Sequence, residues 1–120
     1  MGIGGAKATG TEDAWISEAI GADKVVCFSK SYCPYCTKLK NLLATVSVSY
    51  TVFELNKMGQ GRNGPVQQAL QRAHGEMSVP QLFITGEFAG GYEAVVALHE
   101  EGKLETRLRD SGAAFDSQVV

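Results

Sequence analysis

The chain has 120 residues, 44% apolar and 20% charged, with a formal net charge of −2. That is the size of one domain with one core and the composition of a globular protein. It carries no basic field to recruit nucleic acid or anionic lipid, and no apolar run approaches the roughly 18 residues of a membrane span.

Residues 1–10 are rich in Gly and Ala and are expected to be a disordered extension. No charged-then-apolar signal peptide opens the chain. Thr11 can cap a first helix, with Glu12 and Asp13 in its first turn and Gly21 past its end. Lys24 to Ser29 is an apolar, β-branched run that predicts a central strand buried on both faces. The helix after it places Tyr35, Leu39, Leu42, Leu43 and Val46 on one stripe. Lys38 and Lys40 fall off that stripe and read as solvated surface.

Tyr50 to Leu55 predicts a second strand, and Met58 to Gly64 a glycine-rich loop. Pro65 starts a helix that Gly75 ends. Gln81 to Thr85 predicts a third strand, Gly86-Glu87 a two-residue turn, and Phe88 to Gly90 a return strand. A helix from near Gly91 to Glu101 follows, then a short one carrying Leu104 and Leu108. The domain is expected over 11–110, with a loose tail over 111–120. Strands joined by a helix should be parallel, and the last two should form a hairpin. The order predicts an α/β fold: a small four-stranded mixed sheet with helices on both faces.

Chemistry concentrates in Cys33-Pro34-Tyr35-Cys36, between the first strand and the following helix. Pro34 suits the first helical position, where no N–H is needed. Cys33 then falls at the N-cap, facing unpaired N–H groups and the positive end of the helix dipole. Those favour the thiolate, the species that attacks sulfur. Cys36 falls inside the first turn, close enough to close a disulfide back onto Cys33. Three readings compete: two ordinary buried cysteines, half of a zinc site, or a redox pair. Zinc needs about four ligands. Outside the pair only Cys27, His74 and His99 are on offer, and they form no second cluster. No metal is therefore expected, and strand–CxxC–helix is the redox context. The odd cysteine count argues for a reducing, cytoplasmic compartment. Cys27 alternates with Val26 and Phe28 and reads as a small buried hydrophobe.

Phe28 to Cys36 resembles the active-site segment of the dithiol glutaredoxins. Ser78-Val79-Pro80 resembles that family's Thr-Val-Pro segment, Gly90-Gly91-Tyr92 its Gly-Gly motif, and Leu98 to Leu104 its closing helix. The motifs stand in the family's order over about residues 12 to 110. The resemblance implies a thioredoxin-like fold and a cis peptide bond between Val79 and Pro80. It also implies an oxidoreductase with glutathione as co-substrate, and a monomer is expected. Cys33 would be the nucleophile and Cys36 the resolving thiol. The partners would be glutathione or a conjugate of it, and glutathionylated or disulfide-bonded proteins.

For glutathione itself, Lys30 and Gln67 resemble the residues that meet its glycine carboxylate. Tyr35 would pack beside the tripeptide. The backbone of Val79, before Pro80, would pair with it like an added strand. Tyr92 and Glu93 would hold the γ-glutamyl carboxylate at a helix start. One departure stands out: Ala94 occupies the position where the family commonly carries Asp for the ligand's amino group. Glu93, one position earlier and one methylene longer, is the expected substitute. Two alternatives remain at this point. One is an iron–sulfur-binding dimer, though its members usually lack the active-site proline or second cysteine. The other is a glutathione-independent thioredoxin-like reductase.

Overall fold

A computed structural model describes residues 8–115. Its elements are α1 (Ala8–Ile20), β1 (Val25–Ser29), α2 (Pro34–Thr45), β2 (Thr51–Glu54), a 3₁₀ segment (Leu55–Met58), α3 (Pro65–His74), β3 (Gln81–Ile84), β4 (Glu87–Gly90), α4 (Tyr92–Glu100) and α5 (Lys103–Asp110). The sheet order is β2-β1-β3-β4. β1 and β2 run parallel and β3–β4 form an antiparallel hairpin, as expected, and β1 pairs with β3 antiparallel.

Alternation along β1 divides the core between the two faces of the sheet. Val26 and Phe28 join Ile16, Ile20, Val66 and Leu70 of α1 and α3. Val25 and Cys27 join Leu39, Leu43, Val95, Leu104 and Leu108 of α2, α4 and α5. Every residue of β1 is buried, so the strand is central as its apolar run predicts. α3 has Pro65 at its start and left-handed Gly75 (φ 83°) at its end.

Four expectations need correction. α1 begins at Ala8, so Thr11 lies within the helix instead of capping it. A Thr-Glu-Asp run suits a helix start but is tolerated inside one, and Ala has no propensity penalty. The disorder expected of 1–10 otherwise falls on residues 1–7, outside the described residues. The second strand stops at Glu54, and Leu55 opens the 3₁₀ segment with its side chain fully buried.

The hairpin turn is Thr85-Gly86, not Gly86-Glu87. Ile84 pairs with Glu87, and Thr85 (φ 48°) and Gly86 (φ 80°) are both left-handed. That is the type I′ geometry, whose twist matches the flanking strands. Finally, the tail is tied down as far as Phe115. The Ser49 N–H donates to the Ala114 carbonyl at 2.8 Å, and Val48 bridges to Phe115. Phe115 and Ala113 pack against the core on the α2 side, which offsets the Ser and Gly signals that read as loose. Residues 116–120 lie outside the described residues.

The turn gives a stability test. A β-branched residue at positive φ is strained, while Asn adopts that region readily. Thr85→Asn should raise unfolding stability by about 1 kcal/mol, read as a higher urea midpoint with unchanged slope. A lower midpoint would contradict the type I′ assignment.

Candidate active site

The site begins where β1 ends. The chain turns from Lys30 to Cys33, and the Cys33 N–H donates to the Lys30 carbonyl at 3.0 Å. The turn is anchored from the 3₁₀ segment. The Ser31 N–H donates to Asn56 Oδ1 at 2.9 Å, and Asn56 Nδ2 donates to Ser31 Oγ at 2.8 Å. Sequence reasoning missed Asn56, because a lone Asn after a strand carries no local signal of a partner 25 residues away.

Cys33 is the N-cap of α2, with extended backbone (φ −84°, ψ 122°) and Pro34 at the first helical position. Its Sγ accepts the Cys36 N–H at 3.4 Å. A free N–H of the first turn is thereby paired with sulfur, and negative charge there faces the positive end of the dipole. Cys36 is completely buried one turn on, and its Sγ accepts the Lys30 N–H at 3.5 Å. All three cysteines are free thiols. Burial, with the neighbouring Cys33, pushes the Cys36 thiol up to about 11 against the pull of the Lys30 N–H. Burial and the neighbouring Cys36 push Cys27 up to about 12. Cys33 alone is partly open to solvent.

A cleft of about 480 Å³ opens beside Tyr35, in the same first turn as Cys33. Val79, Pro80, Gly90, Gly91, Tyr92 and Glu93 line it as well. The Val79–Pro80 peptide is cis, as the resemblance implies. Gly90 and Gly91 are there for space. A Cβ on Gly90 (φ 124°) would lie 2.5 Å from the Ala94 Cβ, and one on Gly91 would lie 3.3 Å from the Pro80 carbonyl. Gly91 also leaves the start of α4 without a side-chain cap, so its free N–H groups stand at the cleft. The Tyr35 and Tyr92 rings lie 5.9 Å apart, and Lys38 Nζ sits 5.0 Å from the first and 5.9 Å from the second. Lys38 is therefore more than solvated surface. So is Lys40, which makes a half-buried ion pair with Glu54 at 2.6 Å. Each had looked exposed because the helix stripe does not show what packs beside it.

The structure thus brings Tyr35, Val79, Pro80, Tyr92 and Glu93 to one cleft. It also adds two residues the sequence did not assign to the site, Glu76 and Phe88, and puts Ser78 and Ala94 in the lining. Ser78 Oγ donates to Glu76, which holds that carboxyl below its ordinary range. Lys30 and Gln67 do not line the cleft. Both are buried. Gln67 Nε2 donates to the Met77 carbonyl at 2.9 Å, behind the wall that Ser78 and Val79 form. Lys30 makes no ion pair among the described residues.

The glutaredoxin family model matches residues 25–89, which include the active-site turn, the cis proline and most of the return strand. The chain belongs to the glutaredoxin family. Among its relatives, Glutaredoxin-C1 of Arabidopsis thaliana is 39% identical over 100 residues, 83% of this chain and 78% of that one. A glutaredoxin of Ricinus communis is 40% identical over 96 residues, 80% and 92% of the two chains. The solved buckwheat glutaredoxin–glutathione complex superposes with a TM-score of 0.82 at 31% identity, covering 92% of this chain and 98% of that one. This glutaredoxin is accordingly a glutathione-dependent thiol–disulfide oxidoreductase of thioredoxin-like fold. The comparisons favour that activity over the iron–sulfur and thioredoxin-like alternatives. Among the described residues, no helix is long and apolar enough to cross a membrane.

Burial and titration together set which thiol reacts. At pH 7 thiols at about 11 and 12 are ionised to less than about one part in a thousand. Iodoacetamide at pH 7 should therefore label the native protein at Cys33 and spare Cys27 and Cys36, read by peptide mass. Labelling of Cys27 before unfolding would show that its burial does not protect it.

Proposed function

We propose that this glutaredoxin reduces protein–glutathione mixed disulfides and protein disulfides, acting as a monomer in the cytoplasm to maintain thiol redox balance. The observation that carries the residue roles is Cys33 Sγ resting on the first turn of α2 above a buried Cys36. Cys33 Sγ attacks the glutathione sulfur of a mixed disulfide, and the protein thiol leaves. A second glutathione, or a conjugate of it, then releases the glutathionyl group from Cys33. With a protein disulfide, Cys36 attacks Cys33 and frees the substrate.

Glutathione would lie in the cleft; the buckwheat relative is solved as a complex with glutathione. Tyr35 would flank it and the Val79 backbone, beside Pro80, would pair with it. The uncapped start of α4 at Tyr92 and Glu93 would take its γ-glutamyl carboxylate. Lys30, with no ion pair of its own among the described residues, would meet the glycine carboxylate. Gln67 would support the wall through Met77 rather than bind that carboxylate, since its Nε2 is already engaged. Glu93 lines the cleft next to Ala94, which supports it as partner of the ligand's amino group.

Cys33→Ser should abolish every activity. Cys36→Ser should keep deglutathionylation of a small mixed disulfide and lose most reduction of a protein disulfide. Loss of both by a folded Cys36→Ser would overturn the monothiol route. Glu93→Ala should raise KM for glutathione severalfold, the share of a charge-assisted bond of about 1.5–3 kcal/mol that survives screening at an exposed rim. Adding Ala94→Asp should restore it. An unchanged KM would leave Glu93 facing water only.

A further inference from the structure

Cys36 must pass through a thiolate when it resolves a mixed disulfide, yet it is completely buried. Water cannot solvate that charge, so its stabilisation has to come from protein donors. One is visible: the Lys30 N–H, 3.5 Å from Cys36 Sγ. The second position is Ser29. Alternation along β1 puts Val25, Cys27 and Ser29 on the face that α2 covers. Ser29 is completely buried, and its Oγ has no hydrogen-bond partner. That hydroxyl lies beside the Cys36 thiol and beside Glu54, the residue across from it in the β1–β2 pair, without an aligned bond to either. A buried, unpaired hydroxyl costs stability wherever an apolar atom would fit. Its retention next to a reacting sulfur calls for a use.

We propose that the Ser29 hydroxyl and the Lys30 N–H form a two-donor cradle for the Cys36 thiolate, used only in the resolving step. This rests on the role of Cys36 given above. In that step the Cys36 Sγ–Cys33 Sγ bond forms as the bond from Cys33 Sγ to the substrate sulfur breaks. The electron pair leaves with the substrate sulfur, which ends with the proton lost from Cys36. The dithiol is oxidised and the substrate disulfide reduced. The serine hydroxyl rotates, so it can donate to whichever acceptor carries the charge. Glu54 Oε1, buried with no partner of its own, is the hydroxyl's other acceptor, and Lys40 neutralises that carboxylate through Oε2 at 2.6 Å. Both donors of the cradle pull the Cys36 thiol down against its burial.

The test measures closure of the Cys33–Cys36 disulfide after reduced protein is mixed with oxidised glutathione, by acid quench and mass spectrometry. Ser29→Ala should slow closure roughly tenfold or more. Its reduction potential should stay at the wild-type value, because the reduced resting state holds Cys36 as a thiol. Its unfolding midpoint should be equal or higher, because an unpaired hydroxyl has been removed. Closure within twofold of wild type would overturn the proposal. So would slow closure accompanied by a shifted potential and a lowered midpoint, which would assign Ser29 to packing. Cys36→Ser, run in parallel on a protein disulfide, separates the two claims. If it retains full turnover, the resolving role of Cys36 fails irrespective of Ser29. If it loses turnover while Ser29→Ala closes normally, only the cradle fails.

Discussion

The contact on which the site depends is the one between the Cys36 N–H and Cys33 Sγ at the start of α2. A helix leaves its first N–H groups unpaired, and here a sulfur takes the place usually held by a Ser or Asp oxygen. The arrangement needs a proline at the first helical position, a strand ending just before, and a turn that aims Cys33 outward. Each is present, and the Ser31–Asn56 pair holds the turn from across the sheet edge. The result is an asymmetric dithiol. One sulfur is partly open on a helix terminus, and the other is sealed beneath it.

That asymmetry has an energetic cause. Burial disfavours both inner thiolates, and at Cys36 the backbone N–H of Lys30 only partly offsets it. Cys33 is thus the thiol open to attack from outside in the proposed reaction, and Cys36 the one that would follow once Cys33 is engaged in a disulfide. Ser29, Glu54 and Lys40 bring polar groups to the largely apolar layer between α2 and the sheet.

The cleft is built on close backbone approach more than on side-chain chemistry. Gly90 passes against Ala94 of α4, where a Cβ would collide, and Gly91 lies against the Pro80 carbonyl, where one would fit only tightly. At its rim Tyr35 and Tyr92 stand under Lys38, and two carboxylates, Glu76 and Glu93, border the opening.

Much of this was legible in the sequence because the relevant signals are local. Pro34 between two cysteines, Pro65 and Gly75 around a helix, and the apolar run of β1 each act within a few residues. They placed the N-cap, the central strand and Cys27 correctly. Tertiary structure decided what depends on partners far along the chain. The Asn56 anchor, the Lys40–Glu54 pair and Gln67 behind Met77 all require the register of β1 with β2 or the packing of α3 on the sheet. Phe115 was held to the core, although its flanking residues read as loose, because an apolar ring gains more from burial than Ser and Gly lose. Thr85 adopted a left-handed backbone against its own preference because the twist of β3 and β4 demanded it. Ser29 looked like an ordinary strand end in the sequence. Only the fold set its hydroxyl, unpaired, beside the buried thiol.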